Sequence, residues 1–150
     1  MSTSSPLVCP PAASVRNLIP FVHVADVDAS LDFYALLGFA CDGAMRDERG
    51  RAFWASARSD RAEIMFARAD GPIVPEHQAV IFYMYSDDAA ALRAHLLAAG
   101  LHDGGTCRGE QGPNNGRRVV FAVARPDYMK NGELRVADPD GYCILVGQLQ

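Results

Sequence analysis

Residues 20–39 read PFVHVADVDASLDFYALLGF. This run holds a strand, a helix, and the start and stop signals of that helix. Residues 18–25 (LIPFVHVA) are rich in side chains that suit a pleated surface, which predicts a strand. Asp26 or Asp28 can cap the helix that follows, because a carboxylate there accepts hydrogen bonds from N–H groups that the first turn leaves unpaired. Leu31, Tyr34 and Leu37, flanked by Phe33 and Leu36, recur at helical spacing and give the helix a broad apolar face. Gly38 ends it, as a glycine just past a helix does.

The reading extends in both directions from this run. Residues 39–45, 52–57 and 62–67 read as three further strands, separated by turn chemistry at Asp47-Glu48-Arg49-Gly50 and Ser59-Asp60. A linker with Gly71, Pro72 and Pro75 follows, and then the pattern restarts. Residues 79–85 (AVIFYMY) predict a strand, Asp87 or Asp88 a cap, and Leu92, Leu96 and Ala99 a helix face that Gly100 ends. A shift of 62 residues places Ile19 on Ile81, Asp26 on Asp88, Gly38 on Gly100 and Phe39 on Leu101. Residues 119–124, 133–137 and 143–147 close the second set of strands. The recurrence predicts an α+β domain over 18–150. It has two βαβββ modules, at about 18–70 and 78–150, each curling its strands around one side of a cavity. Residues 1–17, with Pro6, Pro10, Pro11 and a serine cluster, read as a flexible tail. The Gly-rich residues 104–116 hold at most a short strand, and are either a lid or a plain surface loop.

Composition narrows the function classes. The 150 residues are 49% hydrophobic and 21% charged, too apolar for a disordered chain. A net charge of −4 provides no basic face for nucleic acid, so no nucleic-acid partner is expected. The N-terminus has no apolar core behind basic residues, and no segment has the length of a membrane span. Cys9, Cys41, Cys107 and Cys143 form no C-x-x-C pair, and read as reduced, buried thiols of a cytoplasmic protein. No G-x-S-x-G occurs and no cysteine has a base beside it, so no nucleophile system is visible.

The opening run and the closing run LRVADPDGYCILVG (134–147) resemble the two signatures of the vicinal-oxygen-chelate superfamily, the glyoxalase, bleomycin-resistance and extradiol-dioxygenase group. The resemblance covers roughly residues 18–148 and implies paired βαβββ modules, usually in a homodimer. It implies no activity by itself. The group's metal enzymes hold one divalent ion with side chains from both modules. Carried onto this sequence, those positions are Ile19, Glu63, Ile81 and Leu145. Ile and Leu have no lone pair, and one carboxylate cannot build a site that needs three or four ligands. Residues 73–85 (IVPEHQAVIFYMY) and the turn Asp138-Pro139-Asp140-Gly141 resemble the metal-free, drug-sequestering members, and no metal or cofactor is expected.

Strand alternation sends Phe21, His23, Tyr83 and Tyr85 to the same side as Ile19 and Ile81. With Glu63 and Trp54 these are the candidate ligand-binding residues. Phe21 reads as core or cavity wall, Trp54 as cavity or dimer seam, and Glu63 as ligand anchor or exposed strand residue. His23 suits proton transfer or a structural hydrogen bond. His77, His95 and His102 read as surface groups, and residues 125–132 offer Tyr128 and Met129 as a second rim. The expected function is metal-independent binding of a small aromatic or cationic ligand by a homodimer. The alternative is a glyoxalase- or dioxygenase-like enzyme with a metal at a shifted site using His23 and Glu63. An interaction domain without ligand would instead have a filled interior.

Overall fold

The computed structural model describes residues 7–107 and 118–150. Strand β1 (Phe21–Val24) leads into helix α1 (Val27–Ala35), followed by β2 (Ala40–Arg46), β3 (Ala52–Ser59) and β4 (Ala62–Arg68). These strands form one sheet in the order β1-β4-β3-β2, with β1 parallel to β4. The second module follows the scheme with one strand more than the predicted βαβββ unit: β5 (Ile81–Ser86), α2 (Ala89–Ala98), β6 (His102–Asp103), β7 (Val119–Val120), β8 (Glu133–Ala137) and β9 (Cys143–Gln148), with the short β6 parallel to β7. Its sheet runs β5-β9-β8-β7-β6, with β5 parallel to β9. In both modules the first strand lies beside the last, and the helix makes the crossover that a parallel pair requires.

The predicted repeat holds in detail at the helices. The side chain of Asp26 accepts from the Ala29 N–H, and that of Asp88 from the Ala91 N–H, so both modules use the same cap. Asp28 caps nothing and instead accepts from the Ala52 N–H and from Arg46, tying α1 to β3 and β2. Gly38 and Gly100 close their helices with φ of +95° and +98°, a region that a Cβ makes costly. The predicted strand over 119–124 is shorter than expected. Only Val119–Val120 is regular, and Ala124 rejoins β8 through a single bridge to Glu133.

Each sheet buries one face under its own helix. Val22, Val24, Ala55, Ala57, Ile64 and Phe66 are covered on the first sheet, beneath Val27, Phe33 and Tyr34 of α1. The alanines of β3 leave room for those rings, and Tyr34 meets Phe33 and Phe39 edge-on at 5.3 and 5.9 Å. Phe82, Val120, Leu134, Val136, Ile144 and Val146 are covered in the second module, with Ala89 and Leu96 of α2 in the same buried cluster. Burying such side chains contributes roughly 1.5–3 kcal/mol each, and is the main stabilising term.

The closing turn latches one module to the other. Asp138 and Asp140 are buried, and Tyr34 donates its hydroxyl to Asp138 at 3.0 Å. Asp140 accepts from the Ala25 N–H at 2.8 Å, and Tyr142 donates to the His23 carbonyl at 2.9 Å. Gly141 sits at φ +87°, where a Cβ would lie 2.5 Å from the Pro75 backbone. The D-P-D-G-Y motif thus holds β1 and α1 against the second sheet and clamps the linker between modules.

Residues 7–17 are exposed around a short 3-10 turn at Pro11–Ala13. The rest of the expected tail, residues 1–6, and residues 108–117 of the Gly-rich loop lie outside the described residues. Among the described residues no helix is long and apolar enough to cross a membrane.

Candidate functional site

The faces turned away from the helices form two open floors. On the first sheet the pairing places His23, Ala67, Trp54 and Met45 in one row across four strands. Phe21, Met65, Ser56 and Gly43 make the next row. Phe21 is 57% exposed and Met45 50%, so Phe21 is not core in the single chain. Glu63 faces Arg58 across the β3–β4 pair and forms an ion pair with it at 3.2 Å. Arg58 also donates to Asp42 at 3.0 Å.

On the second sheet Tyr83, Leu145 and Arg135 form one row, and Tyr85, Gly147 and Glu133 the next. Tyr83 and Tyr85 lie with ring centres 5.4 Å apart. Gly147 leaves the space that Tyr83 and Met129 fill, since a Cβ there would lie within 3 Å of both. Glu133 is buried at the end of this floor, and its two oxygens accept from the Tyr83 and Tyr128 hydroxyls, each at 2.8 Å. Partial burial, with the Glu133 carboxylate behind it, pushes the Tyr83 hydroxyl up to about 12. Tyr128 is raised too, chiefly by its hydrogen bond to Glu133. Both hydroxyls therefore stay protonated donors at neutral pH. Arg135 donates to the Cys107 thiol at 3.5 Å and also meets Cys143, whose own thiol is pushed up mainly by burial.

A cavity of about 590 Å³ opens where the modules meet. Leu37, Phe39 and residues 59–62 line it from the first module, and Tyr83–Asp87, Leu92 and Val146 from the second. That volume falls in the range of small-molecule sites, roughly 300–1,000 Å³. Of the six candidate residues, the structure brings Tyr83 and Tyr85 to this cavity. Phe21, His23, Trp54 and Glu63 instead share the open floor of the first sheet.

The positions implied for a metal do not fit one. Continuing the β1–β4 register puts Glu63 level with Ile19, while His23 pairs with Ala67. His23 and Glu63 therefore stand four residues apart along the sheet, about 13 Å at strand spacing. Glu63 is also committed to Arg58. Among the described residues no three His, Cys, Asp or Glu side chains gather into a set that could hold a metal ion.

The sequence reading missed Glu133, Arg135 and Cys143 as floor residues. The signal was present, because two opposite charges spaced two apart on a strand must share a face. The expected burial of all four thiols also needs correction. Cys9 and Cys41 are exposed, and Cys107 and Cys143 are half-buried around Arg135. Cys9 lies in the N-terminal segment, Cys41 on the edge strand β2, Cys107 outside the strands and Cys143 on β9, places that cysteine's average burial does not predict.

A model of the Glyoxalase/Bleomycin resistance protein/Dioxygenase superfamily matches residues 19–146. No curated protein matches the chain in sequence. Among solved structures, a bleomycin-binding protein complexed with bleomycin aligns over 91% of this chain and 100% of its own, with 18% identity and a TM-score of 0.65. The bleomycin-binding protein of bleomycin-producing Streptomyces verticillus, complexed with copper(II)-bleomycin, aligns over 91% and 100%, with 21% identity and a TM-score of 0.62. TnmS3, an antibiotic binding protein from Streptomyces sp. CB03234, aligns over 91% and 99%, with 18% identity and a TM-score of 0.58. At these identities the likeness establishes the fold.

Proposed function

Since the chain belongs to the Glyoxalase/Bleomycin resistance protein/Dioxygenase superfamily, we propose that it is a metal-independent protein that binds a small, flat ligand on its open sheet floors. The observation that carries this reading is the makeup of those floors. Apolar Ile19, Ile81 and Leu145 stand at the positions implied for metal ligands, while Phe21, Trp54, Tyr83 and Tyr85 offer ring faces beside them. Rings of this kind stack on planar ligands, worth on the order of 1 kcal/mol each. The structural neighbours support the reading, since they include proteins that bind bleomycin and another antibiotic.

The proposed binding unit is a homodimer in which residues 18–150 act as one domain. Ile81 and Tyr85 are 54% and 60% exposed in the single chain, and a second copy over the floors would cover them. The separation of His23 from Glu63 counts against the shifted-metal enzyme.

Two experiments test the proposal. Elemental mass spectrometry of tag-free protein, purified without chelator, is expected to find no stoichiometric metal even after incubation with Mn, Fe, Ni or Zn. Near-stoichiometric metal would overturn the reading. For a ligand found by thermal-shift screening, Tyr83→Ala with Tyr85→Ala should weaken binding by about tenfold or more. Unchanged affinity would exclude this floor.

A further inference from the structure

The floor of the second sheet carries two charged side chains of opposite sign, and they differ in how well their neighbours suit them. Glu133 has a hydroxyl donor on each oxygen. Arg135 is two residues along β8, so it projects from the same face. It is half-buried, and a guanidinium carries five N–H donors in a planar fork. Among the described residues its side-chain partners are the thiols of Cys107 and Cys143, and no carboxylate lies within ion-pair distance. Sulfur is a weak acceptor, so this charge is partly removed from water without a strong partner among the described residues. The first sheet shows the contrast. There Glu63 pairs with Arg58, and Arg58 with Asp42.

The geometry points to Arg135 as an oxyanion seat: the ligand carries a carboxylate, or a comparable pair of charged oxygens, that the guanidinium takes in two parallel hydrogen bonds. Tyr83 and Arg135 flank Leu145 on neighbouring strands, which sets them two strand spacings, about 10 Å, apart. An aromatic ring lying against Tyr83 can reach Arg135 with an acid group across that span. Leu145 between them offers an apolar bed. The assignment rests on the binding-protein reading, and selects an acid over the cationic ligand that the aromatic floor alone allows.

The test compares three probes of one shape: benzoate, neutral benzamide and cationic benzylamine. Each is titrated by ligand-observed NMR into the full-length wild type, Arg135→Gln and Arg135→Lys. Benzoate is expected to bind the wild type tightest. Arg135→Gln should weaken benzoate by about tenfold and leave benzamide unchanged, as removal of a bidentate charged contact does. Arg135→Lys should fall between, because a point charge lacks the planar fork. If Arg135→Gln does not fold, as judged by thermal unfolding, the lysine variant carries the test, and full benzoate affinity there would overturn bidentate recognition.

Equal binding of benzoate and benzamide by the wild type would overturn the seat while leaving an aromatic binding floor intact. Preference for benzylamine, lost in Glu133→Gln, would replace it with a cation site. Failure of all three probes to bind would sink the seat and the binding function together.

Discussion

Two carboxylate–tyrosine clusters use the same chemistry for opposite ends. In the latch, Asp138 accepts from Tyr34 and from the backbone of Asp140 and Tyr142, all deep in the interior. On the second sheet, Glu133 accepts from Tyr83 and Tyr128 at the edge of an open floor. The first cluster is sealed by Phe66, Phe39 and the linker, so it can only hold modules together. The second has exposed rings beside it, so a ligand can reach it. What separates structure from candidate function here is access rather than residue type.

The comparison breaks first at the latch, where the largest effects are expected. Gly141→Ala adds a methyl against the Pro75 backbone at a positive φ, and should destabilise by about 3 kcal/mol in a urea unfolding curve. Asp138→Ala leaves the Tyr34 hydroxyl and two N–H groups without an acceptor, and should cost about 2 kcal/mol or more in the same measurement. A shift below about 0.5 kcal/mol in either variant would remove the latch from the account.

A smaller effect concerns pH. Burial pushes the Asp138 carboxyl up to about 7, against the pull of its hydrogen-bond donors and with help from the Asp140 charge. Asp140 is raised by burial as well. A folded-state value above the unfolded one means the native state holds its proton longer. Stability from this group is full below the ordinary carboxylate value of 3.8 and is lost as pH rises to about 7. Asp28, Asp42, Asp47 and Asp103 shift the other way, each led by a hydrogen bond, so their contribution is already full across that window and is lost only as pH falls below it. Unfolding midpoints should therefore fall between about pH 4 and pH 7 and level off above. Asp138→Asn, which keeps an acceptor for the two N–H groups, should flatten the slope. A slope unchanged in that variant would place the titration elsewhere.

The smallest stability effect belongs to the open cluster. Tyr128 is 69% exposed, and Tyr128→Phe should move the unfolding free energy by less than about 0.5 kcal/mol. A large loss would mean that this cluster is structural too, and the contrast between the two regions would collapse.

Much of the architecture was legible from local signals. Caps at Asp26 and Asp88, glycine stops at Gly38 and Gly100, and period-two strands act over a few residues, so spacing alone exposes them. The 62-residue recurrence then implied two modules. The candidate site was legible only in part. Alternation placed Tyr83 and Tyr85 on one face, but sequence did not reveal that Glu133, some 50 residues away, meets Tyr83.

What sequence by itself determined is thus the set of elements and the family. Caps, turns and alternating burial are enforced by each segment's own backbone geometry. Only the tertiary structure decided which carboxylates are sealed, which guanidinium has thiols as its side-chain partners among the described residues, and that the closing motif is a clamp. Those contacts join residues 104 to 119 positions apart in the latch. Their partners are chosen by how the two sheets dock, a choice that no local rule contains.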